Sequence, residues 1–333
     1  MPYNSIINRT DAEALIPEEV SREIIQEVPT SSSVMQLARK LPNMSRKQRK
    51  MPVLDALISA YFVNGDTGLK QTSEVAWANK YVTAEEMAVI VPIPEAVLED
   101  EDYDIWGEVK PRIIEAFGRA FDAAVVLGTN IPAAWVIDMG NHSGLLDGCT
   151  DASHVLDLSN ELAAGKDMFD VILGEGGLLS FVEEDGYEIN GHVASLKMKA
   201  KLRGVRAKVF NGVDSMVPAG EPIFVRSMQE SGRYELDGVS ILFPKNGAIP
   251  ADSLLQVSGD WNQLVYSIRT DVTYKILTEA VIQDNTGAII YNLAQQDMVA
   301  LRAVMRLGVA LPNPINAVNQ DAATRFPFSA LVP

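Results

Sequence analysis

Residues 51–94 read MPVLDALISAYFVNGDTGLKQTSEVAWANKYVTAEEMAVIVPIP, and the way this stretch pairs decides the fold. The outgoing part, PVLDALISAYFV, is apolar and rich in strand formers. The return, EVAWANKYVTAEEMAVIVPIP, carries Trp77, Lys80, Tyr81 and Val82 and then an apolar run over residues 87–93. Between them NGDTG, with Gly65, Asp66 and Gly68, supplies turn chemistry, and the turn falls within residues 64–74. The pattern predicts a long two-stranded β-hairpin. A small domain cannot cover both faces of so long a hairpin, so the segment reads as an arm that pairs with a neighbouring chain.

Upstream, residues 17–28 (PEEVSREIIQEV) predict a short amphipathic helix. Pro17 sits in the first turn with acids close behind it, and Val20, Ile24, Ile25 and Val28 share one face. Little else nearby can bury that stripe, so this is a second arm docking on something distant; the alternative is an N-terminal helix docked on its own domain. An extended piece over residues 33–41 is expected to follow. Next comes ARKLPNMSRKQRKMP, in which Arg39, Lys40, Arg46, Lys47, Arg49 and Lys50 form a dense cationic run. It has no interleaved aromatics to stack bases, and the rest of the chain is acidic. A solvated face or an intersubunit salt-bridge partner is therefore favoured over a nucleic-acid contact.

Downstream, residues 104–128 (DIWGEVKPRIIEAFGRAFDAAVVLG) give the clearest helix signal. Ile105, Val109, Ile113, Phe117, Phe121 and Val125 recur every fourth position, Asp104 can cap the start and Gly128 the end. Pro111 should kink this helix or mark its true start. From residue 151 the pattern is mixed. Helices are expected over 158–173 and, short and basic, over 195–203. Strands are expected over 222–226, 239–244, 254–257, 263–268 and 272–277. Residues 288–292 and 298–310 are apolar, the latter undecided between strand and helix, and Pro312 and Pro314 then stop regular structure. No internal repeat or low-complexity tract is visible.

The chain has 333 residues, with 28 Lys and Arg against 44 Asp and Glu, a net charge of −16. That balance argues against a protein that coats DNA or an anionic membrane. A content of 47% apolar and 22% charged residues is globular and allows two to three cores. Cys149 is the single cysteine, so no intrachain disulfide staples the fold, and a reducing compartment is expected. The start lacks the unbroken apolar segment of a secretory signal. The best membrane-span candidate, residues 123–139, is interrupted by Asn130, Pro132 and Asp138, so a soluble intracellular protein is expected.

Enzyme motifs fail one by one. His142, His154 and His192 show no metal-helix spacing. GNHSG at 140–144 places its serine one position too late for a nucleophile elbow, and GEGG at 174–177 follows a helix, reading as a helix cap and turn. Gly165-Lys166-Asp167 lacks the hydroxyl of a phosphate loop. Asp100, Asp102 and Asp104 lack the glycine and glutamate of a calcium loop. Cys149 has no chelating neighbour and reads as a buried thiol. No catalytic, cofactor or metal site is expected.

Four segments in series carry a resemblance: LIPEEVSREIIQEVPTSSSVMQLARKLPNMSRKQRKMPVL, VNGDTGLKQTSEVAWANKYVTAEEMAVIVPIPEAVLED, the helix at 104–128, and SGDWNQLVYSIRTDVTYKIL at 258–277. Together they resemble the tailed-phage major capsid proteins of the HK97 fold. The resemblance implies an α+β subunit with an N-terminal arm (residues 1–50) and an extended β-hairpin, the E-loop (51–93). It implies a peripheral domain (94–150 and 260–317) carrying the long spine helix (104–128), and an axial domain (151–259) to which a tail (318–333) returns. The arms would bury themselves on adjacent subunits, with Ile24, Ile25, Arg46, Lys47, Arg49, Gly65, Asp66, Gly68, Lys70, Trp77 and Lys80 as interface candidates.

The implied function is self-assembly into hexamers and pentamers of an icosahedral shell that encloses double-stranded DNA without reading its sequence. Scaffold, portal and decoration proteins are possible partners; no membrane and no cofactor are implied. The protein would reside in the virion after assembly in the host cytoplasm. The chain starts almost at the arm, which implies either prior trimming or a separate scaffold. One branch of the family cross-links an E-loop lysine to a peripheral asparagine; Lys70 or Lys80 and Asn313, Asn316 or Asn319 are of the right type but do not match the local pattern, and read as structural. Encapsulin nanocompartments, which enclose protein cargo, share the fold and form the alternative.

Overall fold

A computed structural model describes residues 32–62, 70, 72–96, 105–137, 143–210, 216–218, 220–226, 234–284 and 286–333. The expected helix at 17–28, with Ile24 and Ile25, lies outside them, as do Gly65, Asp66 and Gly68. The described chain opens with α1 (Ser33–Leu37), β1 (Arg39–Lys40), the paired β2 (Gln48–Leu54) and β3 (Trp77–Thr83), β4 (Glu85–Pro94) and the long helix α2 (Ile105–Leu127). Then follow α3 (Leu145–Asp151), β5 (Val155–Asp157), α4 (Leu158–Ala163), α5 (Met168–Leu173), α6 (Leu178–Glu184), β6 (Gly191–Ala194) and α7 (Leu196–Leu202). The chain continues through β7 (Val209–Phe210), β8 (Met216–Val217), β9 (Phe224–Arg226), β10 (Tyr234–Leu236), β11 (Val239–Leu242) and β12 (Gln256–Gly259). It ends with β13 (Val265–Leu277), β14 (Val281–Gln283), β15 (Ile289–Asn292), β16 (Met298–Ala310) and β17 (Phe328–Val332).

Two sheets organise these elements. One has the order β1-β13-β16-β4, the other β5-β17-β12-β6-β11-β10-β9; β2-β3, β7-β8 and β14-β15 are separate two-stranded pairs. The apolar periodicity of α2 does what its spacing demands: Ile113, Phe117, Phe121 and Val125 are all buried, in one cluster with Leu301, Ala303, Met305, Leu307 and Val309 of β16. The same cluster takes in one face of the seven-stranded sheet through Val193, Val257, Phe328 and Ala330. The alternate residues Ala194 and Leu331 point the other way, into a second core built with Val171, Ile172, Leu178, Leu179, Met198 and Leu202 from α5, α6 and α7. The sheet is thus sandwiched between two cores.

Several expectations change. Residues 33–37 form a helix instead of an extended piece: Ser32 caps it by accepting from the Met35 amide, and the buried Asp122 of α2 accepts from the amides of Ser33 and Val34 and from the Ser32 hydroxyl. Asn246 donates to the same carboxylate. Burial holds the Asp122 carboxyl above its usual range, against the opposing pull of those hydrogen bonds.

The expected helix over 158–173 is two, α4 and α5, because Gly165 takes a φ of +88° and Asp167 caps a new start with Asp170 in a capping box. The two strands expected over 263–268 and 272–277 are one, Val265–Leu277, with register shifts between Ile268 and Thr273 where the polar Arg269–Asp271 intervene. Residues 298–310 settle as a strand, and α2 runs through Pro111 from an earlier start.

Candidate assembly surface

The arm is built from its root outward. Residues 85–94 are not the end of the hairpin: β4 pairs with β16 in the four-stranded sheet, and only β2 and β3 pair with each other, from Gln48↔Thr83 to Leu54↔Trp77. The turn from β3 into β4 is therefore the root. Val82 and Ala84 there pack with Met44, Val265 and Ala310, flanked by Leu41 and Met51. The Trp135 indole donates to the Thr83 carbonyl at 3.0 Å, and the Ile315 amide to the Leu54 carbonyl at 3.2 Å.

Gly308 makes the crossing possible, since a Cβ there would meet the Thr83 carbonyl oxygen at 2.5 Å and a Val82 methyl at 2.8 Å. A glycine in a strand interior commonly marks such a close backbone approach.

Away from the root, burial becomes one-sided: Val53 is still buried, but its neighbours on the hairpin are not. Trp77 is 68% exposed, and the segment leaving β2 carries Ile58 at 70% and Phe62 at 103%. Tyr81 stands on the same hairpin at 46%. Fully covering side chains of this size stabilises by about 1.5–3 kcal/mol each, so the hairpin holds a large unrealised apolar driving force.

The cationic run lines the root. Arg46, Lys47 and Lys50 are exposed; Lys47 pairs with Glu85 at 3.3 Å, and the Arg49 guanidinium donates to the Pro42 carbonyl. Lys70 and Lys80 are also exposed. The structure thus brings Arg46, Lys47, Arg49, Trp77 and Lys80 onto one hairpin and its base.

The asparagines named as cross-link partners serve a different contact. Asn313 accepts from the Tyr187 hydroxyl and from Arg325, whose guanidinium also reaches the carbonyls of Asn313 and Asn319. Asn316 and Asn319 donate to the carbonyl and carboxylate of Asp185. These bonds stitch the connection between β16 and β17 onto the end of α6, next to His154, which faces Asp185 at 3.4 Å.

The sequence missed a second exposed apolar patch: Ile289 at 62%, Ile290 at 48% and Val281 at 48%, on the β14-β15 hairpin. Its signal was the strand run at 288–292 lacking polar alternation.

Cys149 is fully buried, and desolvation pushes its thiol well above the ordinary range. Among the described residues no group of three His, Cys, Asp or Glu is placed to hold a metal, and no helix is long and apolar enough to cross a membrane.

A subunit with two sheet-based cores and an arm of uncovered apolar strands is a building block: its α+β architecture is that of the HK97-like shell proteins. The chain belongs to the phage capsid family, whose model matches residues 12–319. It is 27% identical over 308 residues to a major capsid protein of Staphylococcus phage 80alpha, spanning 92% of this chain and 84% of that one. Among solved structures, a chain of Microbacterium phage Oxtober96 superposes with a TM-score of 0.69 at 30% identity, over 99% of this chain and 100% of the other. A chain of Mycobacterium phage Bobi does so at 0.67 and 27%, over 99% of each.

Proposed function

We propose that this chain is the major capsid protein of a tailed phage, a virion component that assembles with itself into hexamers and pentamers of an icosahedral shell enclosing double-stranded DNA. The observation that carries the reading is the hairpin: on a chain of the phage capsid family, β2 and β3 pair only with each other and leave Trp77 and Tyr81 uncovered. Covering them on an adjacent subunit completes burial that folding leaves open. Many such contacts per subunit then close a shell, though each alone is weak.

In this reading residues 1–50 are the N-terminal arm, and the E-loop, expected over 51–93, has β2 and β3 as its paired base. The helix α2 is the spine of a peripheral domain made of 94–150 and 260–317, which β4 joins through β16. Residues 151–259 form the axial domain, to which the tail 318–333 contributes β17. Arg46, Lys47, Arg49, Lys70, Trp77 and Lys80 are the interface residues of the arm and its root, with Ile24, Ile25, Gly65, Asp66 and Gly68 beyond it. The protein is a container and not an enzyme. A net charge of −16 suits a wall that encloses DNA without gripping it. Scaffold, portal and decoration proteins are its expected partners, and assembly takes place in the host cytoplasm.

Negative-stain electron microscopy of the purified protein, alone and with the products of neighbouring genes, tests this. Uniform shells or six- and five-membered rings are expected; a monomer or dimer at high concentration under every condition would overturn it. Shells that retain protein cargo and exclude DNA would favour the nanocompartment instead.

A further inference from the structure

The seven-stranded sheet is electrically lopsided. Residues 143–190, which supply β5 and helices α3 to α6, hold eleven Asp and Glu against the single Lys166. Residues 191–208, which supply β6 and α7, hold six Lys and Arg and no acid. The topology sends only parts of these blocks to different ends, since β6 is the central strand and Asp167 and Asp170 at the start of α5 meet Lys208. α3 packs on β5 and β17, α4 on the edge strand β5, and α6 on β17 and β12. At the other end Lys199 of α7 lies 3.8 Å over the ring of Tyr234 in β10, and Arg226 ends the edge strand β9.

Part of the basic block is answered within the chain. Lys197 pairs with Asp252 at 2.7 Å, and Lys208 with Asp167 and Asp170 at 3.1 and 2.5 Å. The rest stands near Glu221, Glu235 and Asp237 of the same end without pairing to them. Lys201, Arg203 and Arg226 are exposed, and among the described residues no carboxylate lies within ion-pair distance of them. Their convergence registers on Tyr234, whose phenol is held below its usual range by a Lys199 hydrogen bond and by the charges of Lys199, Arg226 and Arg203. The acidic end likewise keeps Asp147 and Glu183 exposed with no cation at ion-pair distance among the described residues.

We propose that the cationic end of the seven-stranded sheet, centred on Lys201, Arg203 and Arg226, docks on the acidic end of the same sheet in the next copy of this chain. The two ends differ, so the contact is head-to-tail, and a head-to-tail contact closes into rings when its rotation permits. Subunits of like net charge repel one another as whole bodies, and opposed local surfaces offset that repulsion while fixing orientation. A second copy is favoured over a nucleic acid because the complementary acids stand on the same lobe, whereas the chain's overall charge repels a polyanion.

The inference rests on the shell reading, and its test separates the two. Lys201→Glu with Arg203→Glu is expected to cut the yield of rings and shells about tenfold or more at roughly 0.15 M salt. Thermal melting of the dissociated subunit stays unchanged, both positions being exposed. Asp147→Lys with Glu183→Lys does the same, and the chain carrying all four substitutions recovers assembly. Wild-type shell yield from the first variant, or no recovery in the fourfold variant, would overturn the charge contact and leave the shell reading standing. Unaltered shells combined with lost co-sedimentation of double-stranded DNA would reassign the surface to a polyanion and equally overturn it. A wild-type chain that never assembles would overturn both readings.

Discussion

The β2-β3 hairpin and the seven-stranded sheet draw on the same strand-forming residues but bury them to opposite extents. In the sheet, Val193, Val257 and Phe328 are fully covered, and each face has its own core. On the hairpin Val82 is covered and, five residues earlier, Trp77 stands 68% exposed. The difference lies in what the chain lays over each. Helices α5 to α7 roof one face of the sheet, whereas the hairpin is covered on one side only: Val53 is buried and Ile315 reaches Leu54, while Trp77 and Tyr81 stay uncovered. Stability of the folded subunit therefore resides in the sheets and α2, and the hairpin's apolar content is reserved for assembly.

That division can be broken from either side. The largest effect is expected on replacing residues 56–75 with a short Gly-Ser link: the subunit stays folded by circular dichroism and shell formation is abolished. Shells of normal yield would show that the distal hairpin is not an intersubunit arm. Phe328→Ala attacks the sheet instead. It removes a ring packed against Trp261, with centroids 5.1 Å apart, and should lower unfolding free energy by about 3–5 kcal/mol in a denaturant titration. A loss under about 1 kcal/mol would mean that the sheet is not the stable half.

His192 sharpens the contrast through pH. It lies in β6 with Nδ1 2.9 Å from the Ser258 hydroxyl, and desolvation lowers its pKa to about 4. The unfolded chain therefore binds a proton at this site near pH 6.5 that the folded chain refuses until about pH 4. Stability is full above the unfolded pKa and falls as the pH drops through that window, by roughly 3 kcal/mol for this group. His192→Gln should flatten that part of the stability-pH curve, and an unchanged slope would contradict the assignment. The smallest effect is expected at the root. Gly308→Ala sets a methyl against the Thr83 carbonyl and should cost about 1–3 kcal/mol while shifting the hairpin; retention of both stability and assembly would show that the crossing is loose.

The parts legible in the sequence share one property, a strong local pattern. The four-residue recurrence of α2 located a helix that the structure places at Ile105–Leu127, and the strand formers flanking 64–74 located the hairpin, though its first strand is Gln48–Leu54 and most of the expected turn lies outside the described residues. Short, fully buried elements escaped. β6 (GHVA) and β17 (FSALV) are covered on both faces, so neither alternates polar with apolar residues, and their length carries no other signal. α3 and α6 begin after Gly144 and Gly177 with no side-chain cap, which removed the usual start signal. Residues 33–37 read as extended because their helix depends on Asp122, nearly ninety positions away, which no local pattern encodes. Of the assembly surface, the exposed aromatics and the cationic root were legible. The charge division of the seven-stranded sheet was not, because it needs the strand order.

The central claim is that neighbours complete what folding leaves uncovered on the hairpin. Hydroxyl-radical footprinting of the dissociated subunit and of assembled shells reads this at Trp77, Tyr81 and Phe62 directly. All three should be modified readily in the subunit and be strongly protected in the shell, while buried Trp261 stays protected in both. Equal modification of Trp77 and Phe62 in the two states would contradict the account.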